Sequence, residues 1–188
     1  MPRFSGARVA LLEARMSREI SDLVRRYGGV PCCTPAVREA PLPSGPDAAR
    51  FIDRLIDLEL SVVVFLTGVG ASSLFAEADR QGRLPQTLAA LRGTTTVCRG
   101  PKPSAVLRQN GVPVVMSAGE PYTTRELLDA MKPVDLASRG VGLLHYGERD
   151  AVLADALSAQ GAQLHQLCLY EWLVPEDIGP LEALVADL

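Results

Sequence analysis

Five short stretches of this chain gather glycines, hydroxyls and basic side chains, each directly after an apolar run and before a helix-like one. They are Glu13-Ala-Arg15-Met-Ser17, Thr67-Gly-Val-Gly70-Ala-Ser-Ser73, Arg99-Gly-Pro-Lys102, Ser117-Ala-Gly-Glu-Pro-Tyr122-Thr123-Thr124 and His145-Tyr146-Gly147-Glu-Arg149. Such residues hold anions and move protons. A helix N-terminus carries unpaired N–H groups and about half a positive charge, so carboxylates or phosphates settle there. Arg15, Arg99, Lys102 and Arg149 add full charges, and the guanidinium fork suits a carboxylate. The candidate proton donors are hydroxyls: Thr67, Tyr122, Thr123, Thr124, Tyr146 and Tyr170.

Other chemistries find less support in the residues. The two histidines, His145 and His165, have no acidic or Cys partner at ligand spacing on one element, so no metal site is expected. No Ser/His/Asp set can be assembled, and paired carboxylates at a strand end are missing. Gly68-Val-Gly70 half-matches a dinucleotide fingerprint, but the next strand ends in Cys98-Arg99 rather than in the acid that the fingerprint wants. Cys32, Cys33, Cys98 and Cys168 each fall in an apolar strand candidate and read as free buried thiols.

Composition sets the class. With 188 residues, 47% of them hydrophobic, the chain can bury a core as one large domain or two small ones. A net charge of −3 disfavours general nucleic-acid binding. No apolar run approaches the roughly 18 residues of a membrane helix, and the start Met1-Pro-Arg-Phe-Ser-Gly lacks a signal-peptide core, so a cytoplasmic location is expected.

The elements that must position these loops are short apolar strands alternating with helix-period stretches. Strands are predicted at Arg8 to Leu12, Val30 to Thr34, Ser61 to Leu66, Thr94 to Cys98, Val114 to Met116, Val141 to His145 and Gln163 to Leu169. Helices are predicted at Ser17 to Tyr27, Asp47 to Leu58, Gly70 to Gln81, Leu84 to Leu91, Pro103 to Asn110, Thr123 to Met131 and Asp150 to Gln160. The alternation predicts an α/β protein with parallel sheets covered on both faces, where ligands collect at the C-terminal strand ends. Gly28-Gly29, Gly111 and Gly161 stand where a left-handed helix end is needed.

One strand-helix-strand pattern occurs twice, at Arg8 to Arg38 and at Gly140 to Tyr170, an offset of 132 residues. Each copy runs into an extended connector, at 40–46 (Ala40-Pro-Leu-Pro-Ser-Gly-Pro46) and at 170–177, where the chain is expected to pass between lobes. The expected division is a central lobe over 42–170 and an outer lobe from 1–40 with 172–188. Much less sequence follows the second copy than the first, so the outer lobe is expected to be incomplete, and its open sheet favours self-association.

Taken in order, Arg8-Val-Ala-Leu-Leu-Glu-Ala-Arg15, Pro35, Val64-Phe-Leu-Thr-Gly-Val-Gly70, Cys98 to Leu107, Gly119 to Leu127, Leu144-His-Tyr-Gly-Glu and the connector Leu169 to Asp177 resemble the uroporphyrinogen-III synthase (HemD) family. The resemblance runs along essentially the whole chain. It implies a HemD-like fold: two flavodoxin-like three-layer lobes with parallel sheets that exchange βαβ units. It also implies a reaction. Hydroxymethylbilane loses its hydroxyl, its last pyrrole ring is inverted through a spiro intermediate, and the macrocycle closes to uroporphyrinogen III, with no cofactor.

By position, the resemblance implies that Tyr170 is the cleft tyrosine and the candidate acid for the departing hydroxyl. It makes Thr67 with the amides of Gly68, Val69 and Gly70 a substrate-contacting loop, and the turn Arg99, Gly100, Pro101, Lys102 to Ser104 a second one. Arg15, Thr123, Thr124, Tyr146 and Gly147 complete the expected substrate-binding set, since they share the loop face. Gly68 departs from the family's Ser or Asn, and Pro101-Lys-Pro103 replaces a turn rich in Thr and Ser. Those departures motivate an alternative: a non-catalytic ligand-sensing module joined to a DNA-binding domain. A flavin or nicotinamide binder rests on Gly68-Val-Gly70 alone.

Overall fold

A computed structural model describes residues 4–42 and 45–186. The chain divides into two compact units, one formed by 1–40 with 172–188 and the other by 41–171.

In the first unit β1 (Arg8–Leu11) and β2 (Val30–Cys33) pair in parallel, with Ala10 opposite Cys32. The crossover helix α1 (Ser17–Arg26) turns Ser21 and Val24 inward and ends in the last-turn cations Arg25 and Arg26, which suit the negative end of a helix. Gly29 brings the backbone so close to Val24 that an added Cβ would lie 2.8 Å from its Cγ1. The same unit contains α8 (Gly179–Ala186), where the apolar pattern predicts nothing. The division between units falls within two paired strands, β3 (Arg38–Pro41) and β9 (Tyr170–Leu173).

Those strands correct the sequence reading of the connectors. The expectation of plain extended linkers missed that each connector supplies the other's hydrogen-bond partners, including Leu42 N–H to the Leu169 carbonyl at 3.0 Å. Pro41 is tolerated because it closes a strand in a sheet of two. The proline-rich stretch is also shorter than expected, because α2 (Gly45–Ile56) already begins at its end, and Pro46 sits in the first turn where a missing N–H costs nothing. Residues 43 and 44 of that connector lie outside the described residues.

The second unit is a parallel sheet of five strands in the order β6-β5-β4-β7-β8, flanked by helices on both faces. Its strands are β4 (Val62–Phe65), β5 (Thr95–Cys98), β6 (Met116–Ser117), β7 (Gly140–Leu144) and β8 (Gln163–Leu167). Registers are direct: Phe65 stands opposite Cys98 on one side and Leu144 on the other. The central strand shows why the sequence reads as a continuous apolar run. Val63 and Phe65 face one core with α2, α3 (Gly68–Arg80), α4 (Leu84–Arg92) and α5 (Pro101–Gln109), while Val62 and Val64 face a second core. That second core is closed by α6 (Thr124–Met131) and α7 (Ala151–Ala159). Burying a Leu or Val side chain on either face stabilises by about 1.5–3 kcal/mol, so both cores contribute.

The α/β expectation therefore holds, with every predicted strand and helix present to within a few residues. Gly28, Gly111 and Gly161 adopt positive φ at the ends of α1, α5 and α7, whereas Gly29 does not and is held instead to its close approach to Val24. Two boundaries moved in a way that matters for the site. Helix α3 starts at Gly68, and α5 starts at Pro101, so both supposed loops are first turns of helices. The thiol reading needs correction as well: Cys98 is buried, Cys32 and Cys168 are half-buried, and Cys33 is exposed. Strand β2 is exposed at Val30 and Cys33 and half-buried at Pro31 and Cys32, which is why apolar content alone misled. Among the described residues no helix is long and apolar enough to cross a membrane.

Candidate active site

The strand order reverses direction between β4 and β7, because the chain builds outward from β4 through β5 to β6 and then returns to add β7 and β8. Such a switch point leaves a crevice at the C-terminal strand ends. The loops that follow β4, β5, β6 and β7 start the helices α3, α5, α6 and α7, so four helix N-termini converge on this edge of the sheet.

Three of the four are already spoken for. At α6, Thr123 forms a capping box: the Glu126 carboxylate accepts the Thr123 N–H at 3.1 Å and the Thr123 hydroxyl, and the Thr123 oxygen accepts the Arg125 N–H at 3.2 Å. The hydrogen bond from Thr123 holds the Glu126 carboxyl below its ordinary range. At α7, Asp150 accepts the Leu153 N–H at 2.9 Å and the Thr124 hydroxyl at 3.1 Å. At α5, Pro101 and Pro103 lack N–H groups, leaving only the amide of Lys102 among the first three helical residues. At α3 the cap is neutral and two amides stay open. Thr67 Oγ1 accepts the Gly70 N–H at 3.0 Å, and the N–H groups of Gly68 and Val69 have no acceptor within the helix. The expected array of anion-binding helix ends thus reduces to α3, with the Lys102 amide of α5 beside it, bordered by cations.

The proton-transfer groups meet at the same end. The Tyr170 hydroxyl lies 3.1 Å from Thr67 Oγ1, although 103 residues separate the two in sequence. Tyr170 is only 3% exposed, so its ring is fixed and its hydroxyl oriented. Beside α3, the Arg99 guanidinium stacks on the ring of Tyr146 at 4.6 Å from the centroid, a contact that holds a cation without neutralising it. Among the described residues neither Arg99 nor Lys102 has a carboxylate partner.

Two glycines explain how the helix ends come so close. A Cβ on Gly68 would lie 3.1 Å from the Lys102 carbonyl oxygen, so the first turns of α3 and α5 touch backbone to backbone. This accounts for Gly68 by packing, with no dinucleotide needed. A Cβ on Gly100 would lie 3.2 Å from Tyr122 Cδ1. Tyr122 itself sits at φ 61, a left-handed conformation that costs a non-glycine residue of order 1–3 kcal/mol, and its ring borders the Arg99-Gly100 turn.

The predicted site residues therefore separate into groups. Thr67, Gly68, Val69, Gly70, Arg99, Gly100, Pro101, Lys102 and Tyr146 lie on the strand-end loops and helix starts just described, and Tyr170, at the start of β9, reaches Thr67. Gly147 follows Tyr146 in the left-handed conformation at φ 58. The Thr123 and Thr124 hydroxyls are engaged in caps. Ser104 turns inward, 2% exposed, and donates to the Gly100 carbonyl at 2.8 Å. Arg15 belongs to the first unit and pairs with Glu39 at 3.3 Å and with Glu13 at 3.9 Å.

Sequence reasoning missed the support for the β7–α7 loop. His145, 1% exposed, accepts the Asp150 N–H on Nδ1 at 3.1 Å and meets Gln166 Oε1 through Nε2 at 2.8 Å. That pattern fixes the neutral tautomer protonated on Nε2. Burial, foremost, holds its pKa below the ordinary histidine value, with the Arg149 charge adding to the effect against Gln166 and Asp150. Asp150 before an apolar helix is a legible cap signal. The bond to Gln166, from the neighbouring strand, leaves no trace in sequence. Among the described residues no cluster of His, Cys, Asp or Glu could hold a metal ion. The Cys98 thiol is pushed up to about 11, first by burial, so it is no nucleophile.

Comparison with known proteins bears on this arrangement. The family model described as uroporphyrinogen-III synthase HemD matches residues 18–188. A Bacillus subtilis (strain 168) protein, YjjA, described as uncharacterized, is 30% identical over 175 residues, which is 92% of this chain and 63% of that protein. A crystal structure of a mutant uroporphyrinogen III synthase from the extreme thermophile Thermus thermophilus superposes with a TM-score of 0.73 at 22% identity, covering 90% of this chain and 64% of that one. Another structure of the Thermus thermophilus enzyme gives a TM-score of 0.54 at 25% identity, over 96% and 69% of the two chains. The chain thus spans about 63% of the length of the curated relative it matches.

Proposed function

The chain belongs to the uroporphyrinogen-III synthase family, and we propose on that footing that the protein is a uroporphyrinogen-III synthase, a lyase of tetrapyrrole biosynthesis. Its substrate in this reading is hydroxymethylbilane, whose last ring is inverted as the macrocycle closes, without a cofactor.

The observation that carries the reading is the pairing of the Tyr170 and Thr67 hydroxyls at the open N-terminus of α3. The reaction begins with the loss of a poor leaving group, hydroxide, which departs as water once it is protonated. Tyr170 is the acid in this proposal. Thr67 Oγ1 already accepts the Gly70 N–H, so its own proton is available to Tyr170 Oη, where it stabilises the phenolate that forms. The substrate becomes cationic as water leaves, and in this proposal the phenolate recovers a proton when the closed macrocycle regains its aromatic pyrrole. A well-placed acid contributes about 10²–10⁴ in rate, and holding a folded linear tetrapyrrole in a closing geometry about 7–11 kcal/mol.

The substrate's many carboxylates supply the need for anion sites. The amides of Gly68 and Val69, the Lys102 amide and the charges of Arg99 and Lys102 serve as those sites in this proposal. Tyr146 positions Arg99, and Gly147 lets the loop turn away from it.

The test supplies freshly made hydroxymethylbilane and resolves the type I and type III products. Type III product formed faster than spontaneous cyclisation is the expected outcome. Type I alone, at the spontaneous rate, refutes the proposal.

A further inference from the structure

A second cationic site lies in the same unit, lined by α2 and β8, neither of which supplies a residue to the Thr67–Tyr170 site. It is an open cavity of about 330 Å³ whose polar lining is Asp47, Arg50, Arg54, Arg149, His165 and Gln166. Arg50 and Arg54 stand one helical turn apart and so share one stripe of α2. Arg149 reaches the cavity from the β7–α7 loop, and His165 and Gln166 reach it from β8.

The charges do not balance. Three guanidinium groups line the cavity; Arg50 is bonded to Asp47 and Arg54 to Glu59 at 2.7 Å, which leaves one cation in excess. Arg149 has no carboxylate partner among the described residues. Gln166 gives its side-chain oxygen to His145, which anchors this stretch of β8 along the cavity. Phe51, at 4% exposure, and Leu164 supply the apolar part of the lining. Like charges gathered in one cavity repel one another unless an anion joins them. Burial, first, lowers the pKa of His165, and Arg54 lowers it further, against Glu59.

We propose that this cavity binds a small multivalent oxyanion, a di- or tricarboxylate or a diphosphate, between the guanidinium groups of Arg54 and Arg149. Planar guanidinium forks match the paired oxygens of either group, and two charges on one ligand answer two cations in one step. A volume of this size admits a metabolite rather than a macromolecule. Arg50 and Asp47 form the outer wall, and His165 takes up a proton more readily once the anion is seated.

The test uses this chain, without any turnover assay, so its outcome is separate from that of the proposed synthase activity. Citrate and pyrophosphate are titrated in low salt by calorimetry, with acetate as the monovalent reference, and the His165 ring is followed by NMR across pH. Saturable binding of either multivalent anion, weakened about tenfold or more by Arg149→Ala and by Arg54→Ala, is expected. Binding should be accompanied by an upward shift of the His165 titration, and the citrate and pyrophosphate arms tell carboxylate from phosphate ligands. Arg149→Ala removes an exposed side chain, so its fold can be checked by circular dichroism alongside. No saturable binding of either anion, binding no stronger than that of acetate, or binding unaffected by both substitutions overturns the proposal.

Discussion

Replacing Tyr170 by Phe tests the centre of the proposed chemistry, because the structure separates the catalytic consequence from the structural one. The ring keeps its volume and its burial, so no cavity opens. The lost group is one hydroxyl bonded to Thr67 Oγ1 at 3.1 Å, and Thr67 keeps its other partner, the Gly70 N–H at 3.0 Å. A neutral hydrogen bond such as this contributes about 0.5–1.5 kcal/mol net, and its loss in a chain of this size lowers Tm by about 1–6 °C. Catalytically the expected loss is about 10²-fold in kcat or more, the usual contribution of a general acid, with little change in KM because the carboxylate sites are untouched. The assay follows type III product under saturating hydroxymethylbilane, with thermal unfolding measured on the same preparation. A double-mutant cycle with Thr67→Val sharpens the result. If the two hydroxyls act together, the double variant should lose less activity than the product of the two single losses, a coupling of about 0.5–3 kcal/mol. A Tyr170→Phe rate within twofold of the parent, or strictly multiplicative losses in the cycle, would refute the assignment.

Two further expectations follow from the frame around the site. His145 is neutral and buried in the native state, with its pKa below the ordinary value, while the unfolded chain titrates it near 6.5. The unfolded state therefore binds more protons below about pH 6.5, so this contribution to stability is present above that pH and is lost as pH falls toward the depressed native pKa. His165 is shifted in the same direction and adds to the trend. Urea midpoints measured from about pH 7.5 down to about 5 should fall, and His145→Gln should flatten the dependence; an unchanged slope in that variant would remove His145 from the account. Gly68→Ala should destabilise by about 1–3 kcal/mol, because the new Cβ meets the Lys102 carbonyl at 3.1 Å and must separate two backbones. A rise in Tm for this variant would show that α5 can yield and that the contact is not limiting.

The interplay of local and distant constraints is visible in particular elements. The apolar run Val62 to Phe65 could only be a central strand, since its residues have cores on both faces. Thr67 before Gly-Val-Gly reads as a binding loop, yet the same residues are the cap and first turn of α3, because the Thr67 oxygen reaches the Gly70 amide. Pro101-Lys-Pro103 reads as an unusual turn, and its prolines are those of a helix start. The connectors read as extended but not as partners. Hydrogen bonding between β3 and β9 joins positions more than a hundred residues apart, and extended propensity alone does not select the mate.

The class of fold, the order of its elements, the family and the roster of polar residues at the strand ends are all legible in the chain as text, because they depend on local periodicity and on residue type near a turn. Which of those residues act together is a matter of packing. Four helix starts look alike along the sequence, and three prove to be filled by Glu126, Asp150 or two prolines. The fourth, at Gly68, stays open and meets Tyr170 from a strand at the other end of the unit's sequence. The physical reason is that a free N–H, an unpaired cation or an oriented hydroxyl is defined by what its neighbours leave unsatisfied. Those neighbours, such as Gln166 beside His145 and Lys102 beside Gly68, are brought there by packing rather than by position along the chain.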